Sequence, residues 1–348
     1  MDALKTRSII GGIIRTVLIV FALAGTPHLV RVIFNPPSLS DLYPVWLGSR
    51  ELLVHGRNPY SPDISREIQI AFYGAELGPG DHPDQQCCFA YPVYVSFLLA
   101  PTVKSYFPSL RLAVLIFLAL VTAISIVCWH AVTRRDTSDL VFIIPLVLVS
   151  PAVMQGLELR QLGMLVAALL SVSAILADRR HFALSGIALS LATIKPQMCI
   201  LPIAWMLLWA VNGWATRKNL IIGFGSMMAL LVGAGEVLLP GWIPDFLVQL
   251  QVYRHFAGAS MIELLYGREI GLSLSVVFVL CLLLVMWRRS AASDFMPTLA
   301  LVLAVEVVIA PGLKSLLNLV LLIPGIFVVL SKYPVIAMDT PTHPREAC

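Results

Sequence analysis

The chain has 348 residues, 58% of them apolar and 13% charged, with a net charge of +4 and a mean hydropathy of +0.87. A soluble domain carries about 45–50% apolar and roughly 25% charged residues, so the polar surface needed to cover a globule is missing. This excludes a soluble enzyme, a nucleic-acid binder and a disordered chain, and it indicates an all-α polytopic membrane protein. The apolar runs are continuous rather than alternating in strands of about 10 residues, which excludes an outer-membrane barrel.

At the N-terminus, Lys5, Arg7 and Arg15 flank the apolar run Val17–Ala24. Ala22-Leu23-Ala24 resembles a signal-peptidase site, but the run reads as an uncleaved first span. At roughly 20 residues per crossing, spans are expected near 16–34, 91–107, 110–132, 140–157, 162–177, 182–195, 197–211, 219–239, 271–287, 296–311 and 313–330. Residues 1–348 thus form a single integral membrane domain with two polar insertions, 34–90 and 240–270, and a tail at 331–348. The run 91–107 is short and carries Pro92 and Pro101. It reads as full-crossing, half-crossing or re-entrant. Either of the last two resolves a parity problem, since an odd number of crossings must separate residue 90 from Arg134.

Arg134-Arg135, Arg179-Arg180, Arg217-Lys218 and Arg288-Arg289 are spaced so that all can be cytoplasmic together. The insertions 34–90 and 240–270 are then exterior. Charges in or beside spans cost about 2.5–3.5 kcal/mol at a span centre, so they mark partners or functions. Glu158, Arg160, Lys195, Glu236 and Glu306 all fall toward the exterior end of their spans. They are expected to line an exterior cleft roofed by the 34–90 loop.

Within that loop, Ser40–His55 reads as an amphipathic helix on the membrane surface. Leu42, Val45, Trp46, Leu52 and Leu53 form its apolar face, and Asp41, Gly48, Glu51 and His55 the opposite one. Asp41 is either the helix N-cap or a catalytic carboxylate. Residues 55–60, His-Gly-Arg-Asn-Pro-Tyr, read as a turn. The segment Asp81–Cys88 holds potential ligands but matches no standard metal spacing, and neither metal nor cofactor is expected. Cys87 and Cys88 are adjacent, an awkward geometry for bonding each other. Lys195 precedes Pro196, so the helix must break there. Its ammonium and the Arg160 guanidinium suit either an anionic lipid phosphate or simple interfacial anchoring.

Several short motifs, in order, resemble glycosyltransferase family 87. They are Asp41-Leu42-Tyr43, Gly56-Arg57-Asn58-Pro59-Tyr60, Phe89-Ala90-Tyr91-Pro92, Arg160-Gln161-Leu162-Gly163, Ser185-Gly186-Ile187-Ala188-Leu189 and Ile194-Lys195-Pro196-Gln197. The resemblance implies a GT-C-type bundle of about 10–12 transmembrane helices with a long first exterior loop. It implies a mannosyltransferase in a bacterial cytoplasmic membrane, inverting and working on the periplasmic face. The donor would be a polyprenyl-phosphate sugar and the acceptor a hydroxyl of a lipid or glycan, with membrane lipids around it and no nucleic acid.

On this resemblance Asp41 is the general base, and Lys195, Arg160 and Gln161 bind the donor. Glu51, His55, Tyr60, Tyr91 and Lys314 are possible lining residues. The family's common Gly-Gln-x-Asn stands here as Arg160-Gln161-Leu162-Gly163, and Lys314 is the polar residue after Pro311-Gly312. The competing functions are a transporter or flippase of a polyprenyl-linked sugar, and a non-catalytic protein of the same fold.

Overall fold

A computed structural model describes residues 16, 20, 23–34, 37–78, 81, 86–133, 140–256, 259–288, 295–309 and 316–323. Every regular element among them is helical. Helix α1 (Leu23–Phe34) leads into the loop helices α2 (Leu42–His55), α3 (Pro62–Tyr73) and α4 (Val95–Leu99). The bundle follows as α5 (Phe107–Thr133), α6 (Leu140–Leu148), α7 (Pro151–Glu158), α8 (Gly163–Asp178), α9 (Phe182–Leu191), α10 (Ile200–Asn212) and α11 (Trp214–Leu238). Two further loop helices, α12 (Trp242–Phe256) and α13 (Met261–Tyr266), precede α14 (Arg268–Arg288) and α15 (Phe295–Ile309).

Among the described residues three helices are continuous, long and apolar enough to cross a membrane, over Phe107–Ala131, Trp214–Leu238 and Arg268–Val285. In the last of these only 11% of the span is buried, and Leu272, Val276, Phe278, Leu280 and Leu284 face outward. An apolar face of that size is covered by lipid in a membrane protein. The chain is an all-helical polytopic membrane protein. Other expected spans form shorter apolar helices, among them α1, α8, α10 and α15; of the expected span 313–330 only 316–323 is described, and it holds a 3-10 helix, Leu316–Leu321.

The run 91–107 makes no long helix. It forms α4 and a 3-10 turn, Ala100–Thr102, that holds Pro101, and Val93, Tyr94, Val95 and Leu99 are buried in the core. It is a non-crossing segment, so one crossing, α5, lies between residue 90 and Arg134, and the parity problem disappears. The expected span 140–157 is divided in two. Ser150, before Pro151, takes the extended conformation that a following proline imposes, and this separates α6 from α7.

Small residues let α9 and α11 cross closely. A Cβ on Gly186 would lie 2.1 Å from the Leu220 carbonyl oxygen, and one on Gly223 would lie 2.2 Å from that of Ala183. This is the close backbone approach typical of membrane helix pairs. The chain reverses at both ends of α8 through a residue in the left-handed region, and neither is glycine. Arg180 has φ +62° beyond α8, and Arg160 has φ +50° before it.

Helix α2 corrects the surface-helix expectation. Its apolar residues Leu42, Val45, Trp46 and Leu52 are buried as expected, but so are Gly48 and Glu51 on the opposite face. The helix is enclosed by protein, with α4 against it, and a Cβ on Gly48 would meet the Phe89 ring at 2.3 Å. The helix that does show one buried stripe is α3, with Ile64 and Ile68 inside. It starts at the Ser61 cap, whose hydroxyl accepts from Ile64 N, with Pro62 at its first position.

Candidate active site

Five stretches far apart in sequence meet at one end of the bundle around a small cleft of ≈ 30 Å³. Asp41 comes from the start of α2, Gln86, Cys88 and Tyr91 from the segment before α4, and Gln161 from the α7–α8 turn. Lys195 and Gln197 come from the break between α9 and α10, and Tyr253 from α12. Arg179, Arg180, Arg217 and Lys218 lie at the far ends of α8, α9 and α11 from this cleft.

Asp41 does not cap α2. It makes no side-chain cap bond and sits at φ −55°, ψ −17°. Its two carboxylate oxygens instead accept the side-chain amides of Gln86 and Gln161, each at 2.5 Å. Burial of the carboxyl raises its pKa from 3.8 to about 6, against the opposing pull of the Lys195 charge and the Gln86 hydrogen bond.

Gln161 is the hinge of the arrangement. Its Nε2 donates to Asp41, while its Oε1 accepts from Lys195 Nζ at 2.9 Å and, more weakly, from the Tyr91 hydroxyl at 3.4 Å. These partners fix which way the amide points. Its placement follows from the end of α7, which closes in a Schellman turn. Gln161 N reaches Gly156 O at 2.9 Å, and Arg160 N reaches Leu157 O at 3.3 Å.

The left-handed position of that turn is normally glycine, and here it is Arg160. The strained backbone is held by the Arg160 guanidinium, which donates to the carbonyls of Glu158, Arg111 and Val32. Arg160 is 1% exposed and does not line the cleft. The structure therefore separates it from Asp41 and Lys195 and makes it the clamp that aims Gln161.

Lys195 occupies the break that Pro196 imposes. Its backbone, at φ −134°, ψ 79°, joins two 3-10 turns, Ala192–Ile194 and Pro196–Met198. The ammonium is thereby freed from a helix face and turned into the cleft. The other charges expected there are used elsewhere. Glu306 Oε2 accepts from Leu201 N in the first turn of α10, Glu236 accepts from Gly241 N, and Glu158 pairs with His28 at 3.6 Å.

The proposed lining residues divide. Tyr91 is in the cleft, and burial pushes its phenol well above the ordinary value, so it stays a neutral donor. Tyr60 lies behind it, donating from its hydroxyl to Tyr91 O at 2.7 Å. Glu51 faces away, paired with Arg57 at 2.9 Å, and His55 is half-exposed beside it. Lys314 and residues 82–85 lie outside the described residues. The 55–60 turn is explained by its own geometry, with Gly56 at φ +66° and Asn58 Oδ1 accepting from Tyr60 N.

Three cleft residues carried no charge signal in the sequence. Gln86 and Gln197 are neutral side chains in irregular segments, and Tyr253 arrives from the second insertion. Helix α12 is pinned to the first loop by Asn58 Nδ2 on Asp245 Oδ2 at 2.8 Å and by Gln249 Nε2 on Tyr60 O at 2.8 Å. Burial, and after it the Asp41 charge, raise the Tyr253 phenol, in keeping with a place close to the carboxylate. Cys87 and Cys88 are both buried, with their sulfurs in contact.

No curated protein and no solved structure matches the chain. The model of glycosyltransferase family 87 matches residues 89–317, a stretch that includes Tyr91, Gln161, Lys195, Gln197 and Tyr253 and begins after Asp41 and Gln86. With two thirds of its length matched in this way, the chain belongs to glycosyltransferase family 87.

Proposed function

We propose that this glycosyltransferase moves a hexosyl unit, mannose, from a polyprenyl-phosphate donor to an acceptor hydroxyl on a lipid or glycan, at the exterior face of the membrane. The observation that carries this reading is the Asp41–Gln161–Lys195 relay, in which one glutamine amide joins a carboxylate to an ammonium inside a single cleft. Each Asp41 oxygen accepts one amide, and a carboxylate has about four lone-pair sites. Acceptor capacity is left for the hydroxyl proton.

In the proposed step Asp41 takes that proton as the hydroxyl oxygen attacks the anomeric carbon. The bond from that carbon to the phosphate oxygen breaks, and polyprenyl phosphate leaves with the electron pair. A single displacement inverts the anomeric centre. Lys195 stabilises the departing phosphate, where a charge on the ligand is met by a fixed charge in a water-poor site. Arg160 enters as a positioning residue for Gln161, and Tyr60 as one for Tyr91. The exterior assignment rests on the basic pairs lying at the opposite helix ends from the cleft.

The test incubates purified protein with radiolabelled polyprenyl-phosphate sugars and a lipid extract. Label is expected in a new product from the mannosyl donor, and not with Asp41→Asn. Label from nucleotide sugars alone would replace the donor class, and donor carried across a vesicle membrane without product would make the protein a transporter. The sidedness has its own check. Native Cys87 and Cys88 are buried, so a thiol is placed at exposed Ala75. Ala75→Cys should react with a membrane-impermeant maleimide in intact cells, above the parent chain. Labelling only after lysis would move the site to the cytoplasm.

A further inference from the structure

The cleft has a satisfied half and an unsatisfied half. Asp41 is held by two amides, and Gln161 by Asp41, Lys195 and Tyr91. Gln197 is different. Its side-chain oxygen is shielded from solvent and has no hydrogen-bond partner among the described residues, yet the residue lines the same cleft as Asp41 and Lys195. A buried carbonyl left without a donor loses the hydration it had in water with nothing in return, and native structures keep few such groups without a reason. The Pro196–Met198 turn that frees Lys195 also places Gln197, two residues on, at the cleft wall. Across the sequence Tyr253 enters the same cleft from α12, and none of the hydrogen bonds described above uses its hydroxyl.

A carbonyl oxygen is an acceptor without a charge. It cannot bind a phosphate oxygen, which is itself an acceptor, but it pairs with a hydroxyl. The Lys195 ammonium beside it does the reverse, suiting the phosphate. Placed two residues apart on one turn, the two groups match the two ends of a glycosyl phosphate. We infer that Gln197 is the sugar-reading residue of the cleft, its Oε1 accepting a hydroxyl of the transferred sugar, with Tyr253 closing the other side of the ring. This rests on the glycosyl-phosphate reading of the site and goes beyond it, since it says which side chains distinguish a sugar-bearing donor from the bare lipid phosphate. A site built to pair a hydroxyl rejects an analogue lacking it far more strongly than an apolar pocket does.

Binding separates this inference from catalysis. Short-chain polyprenyl-phosphate mannose, its glucose epimer and bare polyprenyl phosphate are titrated against the full-length protein in detergent, by tryptophan fluorescence. Wild type should bind the mannosyl compound at least about tenfold more tightly than bare phosphate, as expected for one or two recovered hydrogen bonds. Gln197→Leu removes the unpaired oxygen at similar volume, so the fold is kept. It should bring the two affinities within about threefold, leaving the bare-phosphate affinity unchanged, because phosphate contacts stay with Lys195. Tyr253→Phe should narrow the preference in the same direction.

A Gln197→Leu protein that keeps the wild-type preference overturns the inference. So does a wild type that binds mannosyl and bare phosphates alike. Absence of labelled product from wild type that does prefer the mannosyl compound counts instead against the proposed reaction, and leaves the sugar-reading role standing.

Discussion

Asp41→Asn is expected to lower sugar transfer by about 10²–10⁴-fold, the contribution of a positioned general base, while the folded chain survives. The network explains why it survives. Asn has one acceptor oxygen, and Gln161 keeps that partner, because Lys195 fixes the other end of the Gln161 amide. Gln86 is not held in this way. Its side chain bonds Asp41, so turning its amide over lets its oxygen accept from the new Asn amide. The cap argument, under which Asn would replace Asp at no cost to function, does not apply, since Asp41 makes no cap bond.

The pH dependence has a definite sign. Burial raises Asp41 to about 6, and the base form is the ionised one, so the wild-type rate should climb through about pH 6 and level off above it. Stability runs the other way. A carboxyl whose folded pKa is raised from 3.8 to about 6 stabilises the fold fully below the unfolded value. That contribution is lost as pH rises through about 6, and Asp41→Asn should flatten the melting temperature across the same window. Glu51→Gln is the control, because Glu51 is tied to Arg57 and His55 outside the cleft. A wild-type rate in Asp41→Asn with its acidic limb intact would place the base elsewhere.

The charged residues were the legible part of this site, and their directions were not. A lysine before a proline inside an apolar run announces a broken helix, and the break is where Lys195 sits. Arg160 carried an equally strong charge signal, yet three carbonyls consume its guanidinium. The sequence shows that such a cation is expensive in a membrane. It does not show whether backbone or ligand satisfies it. Hydrophobic periodicity located α2 but misjudged its surroundings, because the cover over Gly48 and Glu51 comes from Phe89 and neighbouring loop segments that no local pattern reports. Gln86, Gln197 and Tyr253 stayed invisible for a related reason. Neutral polar residues outside long helices are common, and only the meeting of the two insertions with the α9–α10 break in space brings these three together.

Replacing Lys195 has the second largest expected effect, and it tests two consequences of one charge. If the ammonium meets the donor phosphate, Lys195→Met removes a charge-assisted hydrogen bond of roughly 1.5–3 kcal/mol, or about 10–150-fold in kcat/KM. The loss falls in kcat if the contact tightens as phosphate departs, and in KM if it is already complete in the bound donor. The same charge favours the ionised form of Asp41. Without it the acidic limb of the rate profile should move to higher pH, since the burial that raises Asp41 is then no longer opposed by the ammonium charge. Lys195→Arg keeps the charge and should restore the limb while recovering only part of the rate, because a planar fork does not fit the single Gln161 oxygen that the ammonium reaches at 2.9 Å. An anchor in lipid headgroups predicts neither change. Wild-type kcat/KM together with an unmoved limb in Lys195→Met would therefore return the residue to that role and remove the phosphate half of the mechanism.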